Sequence, residues 1–121
     1  MNLDTPNIVV PVSVGADGKI SIPPEYENVV VHQAVTVRLQ LTDLAYKLPN
    51  ALPDGLPGAT FVIKGYSLAG GWIDIQDTFI PAPTGTEKFP YKYTITAVHR
   101  VTGSTSSLDP IISNEPKPTE D

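Results

Sequence analysis

The chain has 121 residues, 40% of them hydrophobic and 17% charged, with a formal net charge of −5 and no cysteine. That length supports one domain with its own core. The acidic balance leaves no electrostatic footprint for nucleic acid or an anionic membrane, and the missing thiols exclude disulfides, thiolate metal sites and cysteine nucleophiles.

The N-terminal segment MNLDTPNIVV has neither the basic region nor the apolar run of a signal peptide. No segment nears the roughly 18 apolar residues of a membrane span, so a soluble, cytoplasmic protein is expected. The 13 prolines are about twice the usual share of roughly 5%. Proline fixes φ and removes a backbone donor, so the chain reads as short strands between firm turns. NIVVPVSV places Ile8, Val10, Val12 and Val14 on one face, with Val9, Pro11 and Ser13 on the other; Pro11 predicts an edge strand or a break. A turn at GADG leads to KISI, which Pro23 and Pro24 stop. NVVV at 28–31 is a separate short strand or the lead-in to the next one. In AVTVRLQLT, Val35, Val37, Leu39 and Leu41 alternate with polar residues, the period-two signature of a strand buried on one face.

Residues 43–59 carry Pro49, Pro53 and Pro57, one every four residues, which forbids a helix and predicts a long ordered loop pinned by Leu44, Leu48, Leu52 and Leu56. Such a loop either serves function or covers a core edge. TFVIKGY and GGWIDIQD read as strands with Phe61, Ile63, Ile73 and Ile75 inward and Trp72, Asp74 and Gln76 on the opposite face. A short strand is expected around Phe79, then one strand through YKYTITAVHRV, a turn at TGST and a last strand near Pro110–Ser113. The prediction is a single domain over 1–116 with a flexible polar tail at 117–121, built from about seven to nine strands as a sandwich or barrel.

The stretch YKYTITAVHRVTGSTSSLDPIIS resembles the last two strands of a fibronectin type III or other immunoglobulin-like sandwich. The resemblance implies an antiparallel β-sandwich and puts Tyr91 at the position of a tyrosine corner, its hydroxyl bonded to upstream backbone. The spaced pairs Asp109-Pro110 and Glu115-Pro116 resemble those of a small bacterial family named DP-EP after them. This implies a bacterial origin and carries over no catalytic residue.

Chemistry-bearing patterns are sparse. The serines of GSTSS read as a hairpin turn, and no Gly-x-Ser-x-Gly accompanies them. His99 falls at a strand end, where it bonds a loop, and His32 lies far from it in sequence with no metal-ligand spacing. Asp74 and Asp77, three apart on a strand, face opposite ways and make no acid-base dyad. SLAGGWI reads as a hairpin turn rather than a phosphate cradle. Tyr66 and Trp72 flank that hairpin on one face; they either form an exposed stacking surface or lie beneath the 43–59 loop.

These patterns point to a non-catalytic binding or interaction module that self-associates through edge strands, as a homodimer or with a protein partner. Trp72, Tyr66, Asp109 and Glu115 are the candidate binding residues, with no cofactor and no metal. Alternatives are a carbohydrate-binding module using Trp72 and Tyr66 and a hydrolase using His99. Pro110 and Pro116 bracket the final strand; why an acid precedes each is left open by the sequence.

Overall fold

A computed structural model describes residues 6–118. The chain is all-β. Its strands are β1 (Ile8–Val14), β2 (Ile20–Ser21), β3 (Asn28–Val31), β4 (Val35–Leu41), β5 (Tyr46–Lys47), β6 (Phe61–Tyr66), β7 (Trp72–Asp77), β8 (Phe89–Lys92), β9 (Ile95–His99), β10 (Thr105–Leu108) and β11 (Ile111–Asn114), with one 3-10 turn at Pro24–Tyr26. A five-stranded sheet, ordered β2-β1-β4-β7-β6, forms one layer. Two three-stranded sheets, β10-β9-β5 and β3-β11-β8, supply the other side of the sandwich.

The alternation read from the sequence places the core. Val10, Val12, Val37, Leu39, Ile73 and Ile75 line the inner face of the large sheet, and Tyr93, Ile95, Ala97 and Ile112 belong to the same buried cluster. β4 lies centrally, flanked by β1 and β7, so its seven residues follow the buried-outward alternation throughout. Pro11 sits in β1, where β2 pairs only with Ser13 and Val14, so the missing donor faces an open edge.

Several expectations are corrected. Among the described residues eleven strands form rather than seven to nine, and two pairs, β1 with β4 and β3 with β11, are parallel rather than antiparallel. The expected single strand through Tyr91 and Ala97 is two strands in different sheets, interrupted at Tyr93 and Thr94. Residues 105–107, expected within a turn, belong to strand β10: the Ser106 hydroxyl accepts from the Ile20 amide at 2.9 Å, and the Ser107 hydroxyl bonds that of Thr96 at 3.0 Å. No strand forms at Phe79, whose φ of 61° lies in the left-handed region and is incompatible with extended pairing. Tyr91 packs edge-on against Phe61 at 5.1 Å, and among the described residues its hydroxyl makes no hydrogen bond of the tyrosine-corner type. The tail expected over 117–121 extends beyond the described residues from position 119.

The 43–59 loop covers the core edge. Leu48 and Leu56 are buried and Leu52 partly so, while Leu44 turns outward. Gly55 permits the approach: its φ is 97°, and a Cβ there would stand 2.1 Å from the Lys92 carbonyl oxygen.

Asp77 is 0% exposed. Its Oδ1 accepts from the Phe79 amide at 2.9 Å and from Asn114 Nδ2 at 3.0 Å, a contact that joins β7 of one layer to β11 of the other. Asp77 Oδ2 and Asn114 Oδ1 meet no donor among the described residues. Burial raises the Asp77 carboxyl above its ordinary range. A proton on Oδ2 removes the buried charge and converts one orphan acceptor into a donor. Because the folded-state value is the raised one, this stabilisation is complete below the unfolded pKa and is lost as pH rises through the folded pKa. Asp77→Asn copies the neutral acid and is expected to be more stable than the parent at pH 8 by roughly 1–3 kcal/mol, with a flatter pH profile. Denaturant midpoints at pH 5 and pH 8 check this; an equal loss of stability at both would show that Asp77 is held as a carboxylate.

Candidate functional site

The pairing scheme collects four turns at one end of the sandwich. β1 runs parallel to β4, while β7 is antiparallel to both β4 and β6, so β1, β4 and β6 point the same way. The turns that follow them, at 15–19, 42–45 and 67–71, emerge together. β9 brings a fourth at 100–104, since His99 pairs with Tyr46 across β5.

Arg100 knits these turns. Its amide donates to the Ala45 carbonyl at 2.9 Å, its Nε to the Leu44 carbonyl at 2.9 Å, and its Nη2 to the Ala69 carbonyl. The Leu48 amide donates to the Gly70 carbonyl at 2.8 Å, closing the loop against the β6–β7 hairpin. Gly70 is required there, because with φ of 79° a Cβ would stand 2.7 Å from that of Lys47. Gly18 brings the β1–β2 turn within 3.6 Å of the Tyr46 hydroxyl, measured from the position of an added Cβ.

His99 caps its own turn. Its Nδ1 accepts from the Val101 and Thr102 amides at 3.2 Å each, and its ring meets Tyr46 edge-on at 4.9 Å. Among the described residues the His99 imidazole makes no hydrogen bond to a Ser or Asp side chain, and the His99 amide donates to the Ser104 carbonyl at 2.8 Å. His32 is elsewhere, with Nδ1 3.3 Å from the Glu115 carbonyl.

The tips of three of these turns are apolar. Leu44 is 83% exposed, Leu68 96% and Val101 88%. Arg100 bonds the carbonyl of Leu44, bonds that of Ala69 beside Leu68, and precedes Val101 in the chain. One guanidinium therefore ties together the backbones of turns whose tips are strongly exposed aliphatic side chains. Between the turns runs a cleft of about 280 Å³ walled by Lys47, Pro49, Asn50, Leu68 and Arg100.

The other candidates are dispersed. Trp72 lies on the outer face of the large sheet, where Arg38 stacks over its ring with the guanidinium carbon 4.0 Å from the centroid. Arg38 also grips Asp74 through Nε–Oδ1 at 2.6 Å and Nη2–Oδ2 at 2.9 Å, and this fork keeps Asp74 buried on the outer face. Tyr66 does not join Trp72. A bulge between Ile63 and Gly65 shifts the register, so Tyr66 stands opposite Ile73 and Gly65 opposite Asp74. Arg38 takes the ring face on which a sugar would stack, and the second aromatic is on the wrong parity.

Asp109 and Glu115 lie in the other layer, flanking β11. Asp109 Oδ1 accepts from the Thr94 hydroxyl at 2.7 Å. Glu115 accepts from the Ser113 hydroxyl at 3.1 Å and lies 3.9 Å from the Lys88 ammonium. Both acids thus hold the chain where each proline interrupts it. The apolar turn tips were missed by sequence reasoning; the available signal was aliphatic residues standing inside turn segments such as SLAGG, where small polar residues are usual.

Among the described residues, no group of three or more His, Cys, Asp or Glu gathers as metal ligands. No protein-family model matches the chain, and no curated protein matches its sequence. Replacing Arg100 with alanine is expected to leave the fold intact and speed amide exchange in residues 67–71 and 100–104 by about tenfold. Hydrogen-exchange NMR reads this, and unchanged rates would show that the turns hold themselves.

Proposed function

We propose that the protein is a small non-catalytic interaction module that self-associates through this loop end. The observation carrying the reading is the trio Leu44, Leu68 and Val101, exposed on neighbouring turns and grouped by Arg100. Isolated exposed aliphatics are ordinary, but a patch drawn from several loops on a rigid scaffold is the usual form of a binding surface.

A second copy suits this surface better than a lipid bilayer. Asp17 and Lys19 share the 15–19 turn, Asp43 lies in the 42–45 turn, Lys47 ends β5 and Arg100 opens the 100–104 turn, so this end of the sandwich carries both signs of charge. Two copies related by a two-fold axis can set cation against anion around an apolar centre. An anionic membrane would favour one sign and would repel a chain of net charge −5. The strand edges are less suitable for pairing: β6 is bulged at Lys64, β8 contains Pro90, and β10 is tied to β2 through Ser106.

Six aliphatic tips, three per copy, supply on the order of 9–18 kcal/mol on burial. Association costs about 4–15 kcal/mol, so a weak dimer results. Membership of the DP-EP family, a bacterial origin and an immunoglobulin-like arrangement belong to the same proposal. Chain length, acidity, the two acid-proline pairs and the C-terminal β9–β10 hairpin support them.

Sedimentation velocity between about 10 µM and about 1 mM is expected to show a concentration-dependent dimer. Leu68→Asp should weaken it at least about tenfold, while Val62→Asp on the β6 edge should not. A monomer across the whole range, or equal weakening by both variants, would overturn the reading.

A further inference from the structure

The long loop leaves a gap when it covers the core edge. Between residues 48–54 and strand β9 lies a half-open slot of about 150 Å³. Leu39, Ile73 and Ile95 form its apolar base, and Leu48 and Leu52 its sides. A space of about this size lined by Leu and Ile accommodates a benzene-sized group.

The slot is held open by covalent and hydrogen-bonded constraints. Pro49 and Pro53 restrict the covering loop, so it does not settle freely onto the strands. The Asp54 carbonyl accepts from the Thr94 amide at 2.9 Å, and Gly55 packs against the Lys92 carbonyl, fixing the loop at its far end. Leu48 and Leu56, buried on either side, anchor it to the core.

The mouth is polar and negative. Asp54, Thr94 and Thr96 line it. Among the described residues the Asp54 carboxylate has no hydrogen-bond donor and no salt bridge. Asp109 adds a second carboxylate beside Thr94, whose hydroxyl donates to it. Lys92 adjoins Gly55 through its backbone, and its ammonium makes no salt bridge with a described residue.

We propose that this slot binds small apolar amines, with a ring or branched alkyl body against Leu52, Pro49 and Pro53 over the closed floor of Leu39, Ile73 and Ile95 and a primary ammonium at Asp54. The apolar base excludes a wholly polar cation, and an unpaired carboxylate at its mouth favours a cationic head over a neutral or anionic one. The slot shares Leu48 and Pro49 with the loop-end cleft but none of the exposed tips Leu44, Leu68 and Val101, so the proposal does not rest on self-association.

Benzylamine is the probe, with benzyl alcohol and methylammonium as controls, followed by amide chemical shifts in ¹⁵N-labelled full chain. Saturable shifts at Leu52, Thr94 and Ile95 are expected with a dissociation constant on the order of 1 mM, as for a fragment-sized ligand. Benzyl alcohol should bind several-fold more weakly, and methylammonium should give no saturable shift at these amides. Asp54→Asn, at an exposed position, should lower benzylamine affinity about fivefold, to the level of the alcohol. Ala51→Trp, which fills the mouth, should abolish the shifts. Benzylamine shifts that map elsewhere, fail to saturate by about 50 mM, or are unchanged by Asp54→Asn would overturn the proposal.

Discussion

The second layer of the sandwich depends on one shared interruption. The arm β8–β9 breaks at Tyr93 and Thr94, and the facing arm β10–β11 breaks at Asp109 and Pro110. The Tyr93 amide donates to the Pro110 carbonyl at 3.0 Å, the Thr94 amide turns away to Asp54, and the Thr94 hydroxyl reaches Asp109. The amides of Tyr93 and Thr94 both find acceptors, so neither is left as an orphan by the interruption. As a result one long hairpin serves two sheets: its β8–β11 half joins β3 and its β9–β10 half joins β5. The redirected β9 carries Arg100 to the loop end and Thr94 and Thr96 to the slot.

This interruption gives the Asp-Pro pair its physical content. Proline supplies a residue without a donor at a point where the ladder changes partner, and the preceding acid supplies the acceptor that the facing threonine needs. The Glu-Pro pair works similarly at the other end of β11, where Glu115 accepts from Ser113 and its amide donates to the Val31 carbonyl at 3.0 Å. An acid before each proline therefore closes local hydrogen bonding without requiring a ligand.

Much of the large sheet was legible from the residues. The alternation in β1, β4 and β7 named the buried faces correctly because a side chain's face on an extended strand is set by parity alone. Parity failed where a single residue was inserted. The bulge in β6 moves Tyr66 off the Trp72 face, and no composition signal marks it, since its geometry comes from pairing with β7. Parity placed Trp72 and Asp74 on the right face but did not show what covers them, because Arg38 reaches both from a neighbouring strand. The serines of β10 read as a turn because Ser and Thr favour turns locally; cross-strand bonds to Ile20 and Thr96 overrode that preference.

The residues alone determined an all-β chain, the inward faces of β1, β4 and β7 though not of β6, where Ile63 is exposed, and the absence of thiol chemistry, since proline placement, period-two alternation and composition are local properties. Only the tertiary structure decided which turns meet. Leu44, Leu68 and Val101 are separated by 24 and 33 positions in the sequence. Their turns meet because β4, β6 and β9 deliver them to one end and Arg100 ties the turn backbones together. The slot beneath residues 48–54 is likewise a tertiary product, left between a proline-stiffened loop and a strand redirected by the break at Thr94. Strand pairing across long sequence separations sets both features, and a side-chain pattern read along one segment contains no record of the partner it will meet.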